Sequence, residues 1–441
     1  MGAATPLASL NSAASQPGSA VQVPVRKNRS TVAEVQNHAF ADAMKILFSS
    51  HPGYGHTHPL LPLALAARQA GHDVLYATGE RFHPLLRGLG FCTVPAGMPI
   101  RDAFAAALAG TDGTNGQVPP EEWLEPAVRV LNEILPRRFA ADLLPVLRAQ
   151  RPDLVVYQAG NPGAGLAAHR AGIPAVCHAN ARAEAIDPAD RWQRRGMQLL
   201  RAVAAENGVE LPEGQYLLGD RYLDIYPDPL QETSFVDRPE RMLLRPVPFN
   251  ESGELPQIVL AGRKRPLVYL TLGTVLGTAA ALRAAVDGLS ALDAEVVVAA
   301  GPNISLADFP ALPAHVHLKQ WVPQAELLSL ADLAVHHGGS ATTLGAAGSG
   351  VPQLFLPIGF DGFLNAGAVA AAGAGRRLLP EGVQRWEDRR RCDVVSAAAV
   401  TEAAGGLLAD PGARQAAKAI AEEIATMPSP ADIAARLPEF C

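Results

Sequence analysis

Two series of short apolar runs alternate with helical patterns along the chain, and an irregular, proline-rich stretch separates the two series. Short apolar runs between longer segments of helical period are typical of buried parallel strands in α/β folds. The first series predicts strands at residues 45–50, 73–78, 91–95, 153–158, 175–178 and 222–226. The second series predicts strands at residues 267–273, 295–301, 316–321, 333–336, 353–357 and 376–379. The pattern therefore predicts an α/β fold with two doubly wound domains.

The boundaries of these domains follow from shifts in composition. Residues 1–43 are rich in Ala, Ser, Pro, Asn and Gln and lack a periodic pattern, so we expect a disordered N-terminal extension. The first α/β series fills residues 44–238, and residues 239–266 have the composition of a linker. The second series fills residues 267–427, and a Pro-Ser-Pro break precedes a last helix within residues 428–441.

Charge and cysteine content exclude several classes of protein. The formal net charge of −6 and the lack of a basic cluster argue against a nucleic-acid partner. No apolar run reaches the roughly 18 residues that a membrane-spanning helix needs. The 4 cysteines are scattered along the chain, so we expect neither a disulfide framework nor a zinc site, and a cytoplasmic location fits best. The sequence leaves open whether two copies of the chain form a homodimer.

The turn after the first predicted strand carries glycines and histidines. Gly53 and Gly55 have the spacing that opens a dinucleotide-binding fingerprint, but His58 stands where its third glycine belongs. A dinucleotide site is therefore not indicated. His56 is the candidate general base of this turn, because an imidazole titrates near neutral pH. For His51 and His58 we expect only a role in the wall of the cleft or as capping residues.

A second glycine-containing turn follows the predicted strand at residues 333–336. The turn at Gly338 and Gly339 leads into a helix of small residues, and the hydroxyls of Ser340, Thr342 and Thr343 lie in its first turn. Such a turn presents backbone N–H groups and the positive end of a helix dipole, which together favour phosphate groups. No lysine follows the glycines, so the turn is not a nucleotide-triphosphate P-loop.

The 45 residues from Trp321 to Asn365, together with the following Ala366, resemble the donor-binding signature of the UDP-glycosyltransferase family, in its bacterial antibiotic branch. The matching positions are Trp321, Pro323, Gln324, His337, Gly339, Gly350, Val351, Pro352, Asp361, Asn365 and Ala366. The turn after the first strand resembles the acceptor loop of the same family at Gly55, His56 and Pro59. The resemblance implies the GT-B fold, in which two Rossmann-like domains face each other across a cleft and the last helix crosses back onto the first domain.

The resemblance also implies roles for individual residues. It implies that Trp321 stacks on the pyrimidine base, that His337 and Thr342 meet the diphosphate, and that Asp361 meets sugar hydroxyls. No cofactor is expected, and the lack of an Asp-x-Asp motif argues against a metal that holds the diphosphate. The catalytic candidates are His56 and Gln158. The predicted donor-binding set is Thr274, Trp321, Val322, Gln324, His337, Gly339, Ser340, Ala341, Thr342, Asp361 and Gly362.

Three positions depart from the family pattern. Many relatives have a glutamate at Gly345 that accepts hydrogen bonds from the ribose, and its loss is better tolerated with dTDP, which lacks the 2′-hydroxyl. Many glucosyl-transferring relatives have glutamine at Gly362, so fewer sugar contacts suggest a deoxysugar. The aspartate that orients the catalytic histidine in many relatives falls at Gln158, which can fix a tautomer but cannot stabilise an imidazolium by charge.

These observations predict an inverting, metal-independent glycosyltransferase that uses a dTDP-sugar or a UDP-sugar. The predicted acceptor is a hydroxyl of a hydrophobic natural-product aglycone, a polyketide in antibiotic biosynthesis. The departure at Gln158 keeps an alternative open, namely a sugar-nucleotide-binding auxiliary protein that has lost catalysis. A nucleotide-sugar epimerase or a cell-wall glycolipid transferase of the same architecture is a further alternative.

Overall fold

The structure is a computed structural model that describes most of the chain from residue 43 onward. The described ranges are residues 43–108, 120–184, 187, 189–211, 221–249, 253–260, 262–275, 277–309, 311–385 and 394–441. The sequence predicts a disordered extension over residues 1–43, and residues 1–42 lie outside the described residues.

The first sheet has seven parallel strands in the order β3-β2-β1-β4-β5-β6-β7. Its strands are β1 (Lys45–Ser49), β2 (Asp73–Thr78), β3 (Cys92–Pro95), β4 (Leu154–Gln158), β5 (Ala175–His178), β6 (Arg221–Asp224) and β7 (Arg241–Leu243). All six strands predicted for the first series are present, with ends that differ by one or two residues. The seventh strand, β7, lies inside the range predicted as a linker, where it pairs with β6.

The second sheet has six parallel strands in the order β10-β9-β8-β11-β12-β13. Its strands are β8 (Leu267–Thr271), β9 (Glu295–Ala299), β10 (Val316–Lys319), β11 (Leu333–His336), β12 (Gln353–Phe355) and β13 (Gly375–Arg377). All six correspond to strands predicted for the second series. The domain boundaries themselves stay a prediction.

Helices connect the strands of both sheets. The first half of the chain carries α1 (Tyr54–Thr57), α2 (Leu61–Gln69), α3 (His83–Gly88), α4 (Ile100–Leu108), α5 (Pro120–Arg129), α6 (Leu135–Gln150), α7 (Pro162–Ala171), α8 (Arg191–Glu206) and α9 (Thr233–Val236). The second half carries α10 (Gln257–Leu260), α11 (Ala279–Leu289), α12 (Gln324–Leu328), α13 (Ser340–Gly348), α14 (Phe360–Ala371), α15 (Ala397–Leu408), α16 (Pro411–Thr426) and α17 (Pro430–Arg436). A π-helical segment, Val130–Ile134, joins α5 to α6.

Burial on both faces explains why the central strands are almost continuously apolar. The central residues of β9, Val296–Val298, have no exposed surface, as expected for a parallel sheet covered by helices on both sides. The last helix, α17, packs against α2 of the first half of the chain. Ile433 of α17 and Leu61 of α2 are both completely buried in one apolar cluster, which ties the end of the chain back to its beginning.

The strand orders single out four turns, two in each sheet. In the first sheet the order reverses between β1 and β4, and in the second sheet it reverses between β8 and β11. Crevices form at the carboxyl ends of strands where the order reverses, and ligands of open α/β sheets bind there. The turns after β1, β4, β8 and β11 are therefore the places to look for a site.

Candidate active site

A cleft cavity of about 290 Å³ lies between the two sheets. One wall comes from the turn after β1, through Tyr54, Gly55 and His56. The other wall comes from the second half of the chain and includes most of the predicted donor-binding residues. Those that line the cavity are Thr274, Trp321, Val322, Gln324, His337, Gly339, Ser340, Ala341, Thr342 and Asp361. Gln158 and Gly362 are not among its lining residues.

His56 is the third residue of the short helix α1, which directly follows the extended Gly53. Burial lowers the pKa of His56 to about 4, so the imidazole is neutral at neutral pH. A neutral imidazole has a lone pair with which to accept a proton. The geometry therefore suits His56 to the work of a general base on the wall of the cleft.

Gln158 ends β4, the strand next to β1 at the point where the order of the first sheet reverses. Its side chain is completely buried, and its approach to His56 acts to raise the pKa of the imidazole against the effect of burial. Neither amide atom of Gln158, nor Nδ1 of His56, makes a directed hydrogen bond to another described residue. The amide is thus close enough to influence His56 without holding one tautomer of it.

His51 contacts His56 in a way that the sequence interpretation did not predict. Its ring meets the ring of His56 edge-on, with centroids 5.5 Å apart and planes at 90°. Nε2 of His51 donates to the carbonyl oxygen of Gly160 at 2.6 Å, which fixes the ring. Burial, and then the neighbouring His56, lower the pKa of His51 to about 3. Its place at the end of β1, next to the turn after β4, was the one signal available in the sequence.

Gly338 and the buried side chain of His336 hold the turn after β11. Gly338 has φ +92°, and a Cβ at this position would lie 2.6 Å from Cα of Gly362, so only glycine fits here. The N–H of Gly338 donates to Nδ1 of His336 at 3.1 Å, and Nε2 of His336 donates to Oε1 of Gln353 at 2.9 Å. Since both ring nitrogens of His336 are used in its neutral form, the turn has a fixed support beneath it.

His337 stands at the start of this turn, on the wall of the cavity. Its imidazole fits between two glycines, because a Cβ on Gly273 would lie 2.5 Å from Cε1 and a Cβ on Gly339 would lie 2.6 Å from Nε2. Burial lowers its pKa to about 4. Its Nδ1 has no hydrogen-bond partner among the described residues. The helix α13 begins at Ser340 immediately afterwards, with no acidic residue in its first turn.

Two hydroxyls of α13 are engaged within the protein. Oγ1 of Thr342 donates to Oε1 of Gln324 at 3.2 Å. Oε1 of Gln324 also accepts from the hydroxyl of Tyr269 at 3.1 Å. Thr343 has no exposed surface, and its hydroxyl donates to the carbonyl of Gly339 at 3.0 Å. The hydroxyl of Thr343, which lies in the first turn as the sequence indicated, is therefore not a donor for a ligand, because its proton is bonded within that turn.

Trp321 offers an exposed aromatic face at the mouth of the cleft. The residue is 43% exposed although Val322, next to it, is buried. The ring of Trp321 lies 5.6 Å from that of Tyr54, measured between centroids, so the two walls meet here through aromatic side chains. Thr274 follows β8 across the cavity, and its carbonyl accepts from Nδ2 of Asn303 at 2.8 Å.

Asp361 and Gly362 lie in the first turn of α14. Asp361 is open to the cleft, yet the protein around its carboxyl group raises the pKa by desolvation. Gly362 is buried beneath it, and a Cβ there would lie 2.4 Å from the carbonyl oxygen of His337. Glycine at position 362 thus has a packing cause in addition to any effect on sugar contacts.

Two general searches of the described residues add context. No helix in these ranges is long and apolar enough to cross a membrane. No group of three or more His, Cys, Asp and Glu side chains in the same ranges is arranged to hold a metal ion.

Known proteins of similar sequence cover almost the whole chain. Residues 283–440 match the family model for the C-terminal domain of the erythromycin biosynthesis protein CIII-like proteins. The elloramycin glycosyltransferase ElmGT of Streptomyces olivaceus is 33% identical over 416 residues, which are 89% of this chain and 97% of that protein. The L-demethylnoviosyl transferase of Streptomyces niveus is 32% identical over 86% of this chain and 97% of its own length.

Solved structures agree with the sequence similarity. The glycosyltransferase SsfS6 of Streptomyces sp. SF2575, complexed with thymidine diphosphate, aligns with a TM-score of 0.70 and 26% identity over 90% of this chain and 99% of that chain. The glycosyltransferase VinC in complex with dTDP aligns with a TM-score of 0.68 and 25% identity over 90% of this chain and 99% of its own. The predicted GT-B fold is confirmed.

Proposed function

The chain belongs to the family of bacterial antibiotic glycosyltransferases, and we propose that it moves a deoxysugar from a dTDP-sugar to a hydroxyl of a polyketide-type aglycone. The reaction proposed is a single displacement at the anomeric carbon, with inversion and without a metal ion. The observation that carries this proposal is the cleft itself, because it places a neutral histidine, His56, across from the turn between His337 and α13.

The donor side of the cleft supports a nucleoside diphosphate. The exposed ring of Trp321 is available for stacking on a pyrimidine, and the N-terminus of α13 carries no acidic residue that would repel a diphosphate. Gly345 lines the cavity without a side chain that accepts hydrogen bonds from a ribose 2′-hydroxyl. Thymidine diphosphate is bound by the related SsfS6 and dTDP by VinC, which supports dTDP as the nucleotide here.

The sugar side supports a donor with few hydroxyls. Asp361 is the carboxylate at the start of α14 that faces the cavity, and Gly362 after it has no side chain to add a second contact. The close approach of Gly362 to the carbonyl oxygen of His337 leaves no room for a larger residue without a shift of the backbone. One carboxylate and no amide partner fit a deoxysugar better than a fully hydroxylated hexose.

The proposed chemistry divides between the two walls. The acceptor oxygen attacks the anomeric carbon as the bond to the diphosphate breaks, and the diphosphate leaves with the electron pair. His56 takes the acceptor proton, while backbone N–H groups at the start of α13 and the imidazole of His337 stabilise the leaving charge. No enzyme nucleophile is needed, because inversion takes one step.

A panel of dTDP-sugars and UDP-sugars with polyketide aglycones tests the proposal, with products identified by mass. We expect a glycoside mass with at least one dTDP-deoxysugar and free dTDP in equal amount. Binding of dTDP without transfer to any aglycone in the panel, by a protein whose fold is verified, would contradict the catalytic part of the proposal. Transfer only from UDP-hexoses would contradict the assignment of the donor.

A further inference from the structure

One hydrogen-bond path connects the first sheet to the turn that would bind the diphosphate. The hydroxyl of Tyr226 donates to Oδ1 of Asn365 at 2.9 Å. Nδ2 of Asn365 donates to the carbonyl oxygen of Gly338 at 2.7 Å and approaches Oγ of Ser340 at 3.3 Å. Tyr226 follows β6 of the first sheet, whereas the other residues belong to α14 and to the turn before α13.

Tyr226 is held from behind by a buried ion pair. Asp224 and Arg241 lie at the ends of β6 and β7, with Nε of Arg241 donating to Oδ2 of Asp224 at 2.7 Å. The N–H of Tyr226 donates to Oδ1 of Asp224 at 2.9 Å, and Nη2 of Arg241 donates to the carbonyl of Tyr226 at 3.1 Å. Because both backbone groups of Tyr226 are fixed in this way, its hydroxyl is aimed across the cleft at α14.

The receiving side is equally constrained. Tyr226 and Asn365 are each 1% exposed, so water does not compete for their hydrogen bond. Burial raises the pKa of Tyr226, which keeps its hydroxyl protonated and therefore a donor. Asn365 supplies its oxygen to Tyr226 and its nitrogen to the turn, so one side chain joins the two halves of the molecule.

We propose that Tyr226 and Asn365 form a latch that couples the juxtaposition of the two sheets to the shape of the diphosphate-binding turn. Fixing the carbonyl of Gly338 orients the peptide units that follow, including the N–H groups at the start of α13. The Asn365 amide also donates to Oγ of Ser340, the first residue of α13, so the same side chain supports both the turn and the start of the helix. Both are positioning residues, and this inference rests on the donor site proposed above.

The latch predicts that dTDP binding depends on the contact between the two sheets. Ordering of the turn by dTDP and contact between the two sheets stabilise each other, because they share Asn365. Loss of the Tyr226 hydroxyl should therefore weaken the binding of dTDP, even though Tyr226 does not line the cavity. A net contribution equal to one buried hydrogen bond corresponds to roughly a five- to tenfold weaker affinity.

Tyr226→Phe, Asn365→Ala and the double variant test the latch, with dTDP affinity measured by calorimetry and the Tm of the ligand-free protein measured beside it. Tyr222→Phe is the matched control, since Tyr222 is a buried tyrosine of β6, four residues before Tyr226, and its ring packs on Phe235. We expect Tyr226→Phe to bind dTDP about five- to tenfold more weakly and Tyr222→Phe to bind it as the unmodified protein does. The double variant should be about as weak as Asn365→Ala alone, because both changes remove the same link.

Two results would overturn the latch. A lower Tm with unchanged dTDP affinity in Tyr226→Phe would leave a purely structural hydrogen bond, and losses that multiply in the double variant would mean that the two residues act separately. If Tyr226→Phe does not fold, Asn365→Ala decides by the same two measurements. Failure of the unmodified protein to bind dTDP would remove the proposed donor site and the latch together, whereas normal binding with an unaffected Tyr226→Phe removes only the latch.

Discussion

Gly362→Ala adds one methyl group at the junction of α14 with the turn before α13. The new Cβ would lie 2.4 Å from the carbonyl oxygen of His337, a backbone atom, and 3.5 Å from Cα of Pro357. Ordinary contacts between such atoms begin at about 3.4 Å, so either the start of α14 or the turn must move by roughly 1 Å. A flexible side chain could rotate away from the methyl group, but a carbonyl within a turn cannot.

The size of the effect follows from two opposing contributions. Overpacking of this kind costs about 1–3 kcal/mol, and alanine in a helix returns up to about 1 kcal/mol relative to glycine. With the full offset, we therefore expect Gly362→Ala to lower the free energy of unfolding by at most about 2 kcal/mol. A displacement of about 1 Å at Asp361 or His337 should lower the transfer rate by as much as 10²-fold, because catalysis depends on position at that scale.

Gly367→Ala in the same helix is the control, because a Cβ at that position would meet nothing within 4 Å. It should leave the transfer rate unchanged and raise the Tm slightly through helix propensity. Calorimetric dTDP binding, the rate of dTDP release and the Tm of both variants complete the assay. Equal rates and dTDP affinities for Gly362→Ala and Gly367→Ala would refute the claim that packing against His337 shapes the site.

The remaining predictions concern chemistry and specificity. His56→Ala should keep dTDP binding and lose roughly 10² to 10⁴-fold in transfer rate, measured with a saturating donor, and near-normal turnover would remove the base. Exhaustive chelation should leave activity intact, and a requirement for added magnesium or manganese would contradict the role of α13. Gly345→Glu should shift competition binding toward UDP by at most about 1.5–3 kcal/mol, unless the unmodified protein already prefers UDP. Gln158→Asp should move the acidic limb of the pH–rate profile upward from about pH 4, because a carboxylate stabilises the imidazolium of His56 and raises its pKa, and a profile identical to that of the unmodified protein would mean that Gln158 does not act on His56.

Most strands that the structure describes could be predicted, because the central ones are buried on both faces and leave a continuous apolar signal in the sequence. The exception is β7, where Arg241–Leu243 forms a short strand amid prolines. Its residues are only partly buried, and its pairing with β6 depends on a contact distant in sequence. The local sequence pattern carries no information about such pairing. The stretch was therefore predicted as a linker from its composition.

Most of the donor-binding candidates on the cavity wall fall in one contiguous motif after β10 and could be predicted from it, whereas supporting residues are dispersed. The contribution of His51 depends on its angle to His56 and on the carbonyl of Gly160. That of Tyr226 depends on a partner 139 positions away. Spacing along the sequence does not encode either contact, and only the folded arrangement of the strands brings these groups together.

The electrostatics of the cleft indicate which wall limits the proposed reaction. His56 has a pKa of about 4, set by burial and the uncharged Gln158, so the imidazole is a weak base. Such a base takes a proton readily only after the acceptor oxygen has begun to bond to the anomeric carbon and has become acidic. Bond formation in turn requires departure of the diphosphate, which the turn before α13 must stabilise. Changes that displace this turn, such as Gly362→Ala, should therefore slow transfer even when His56 and its surroundings are untouched.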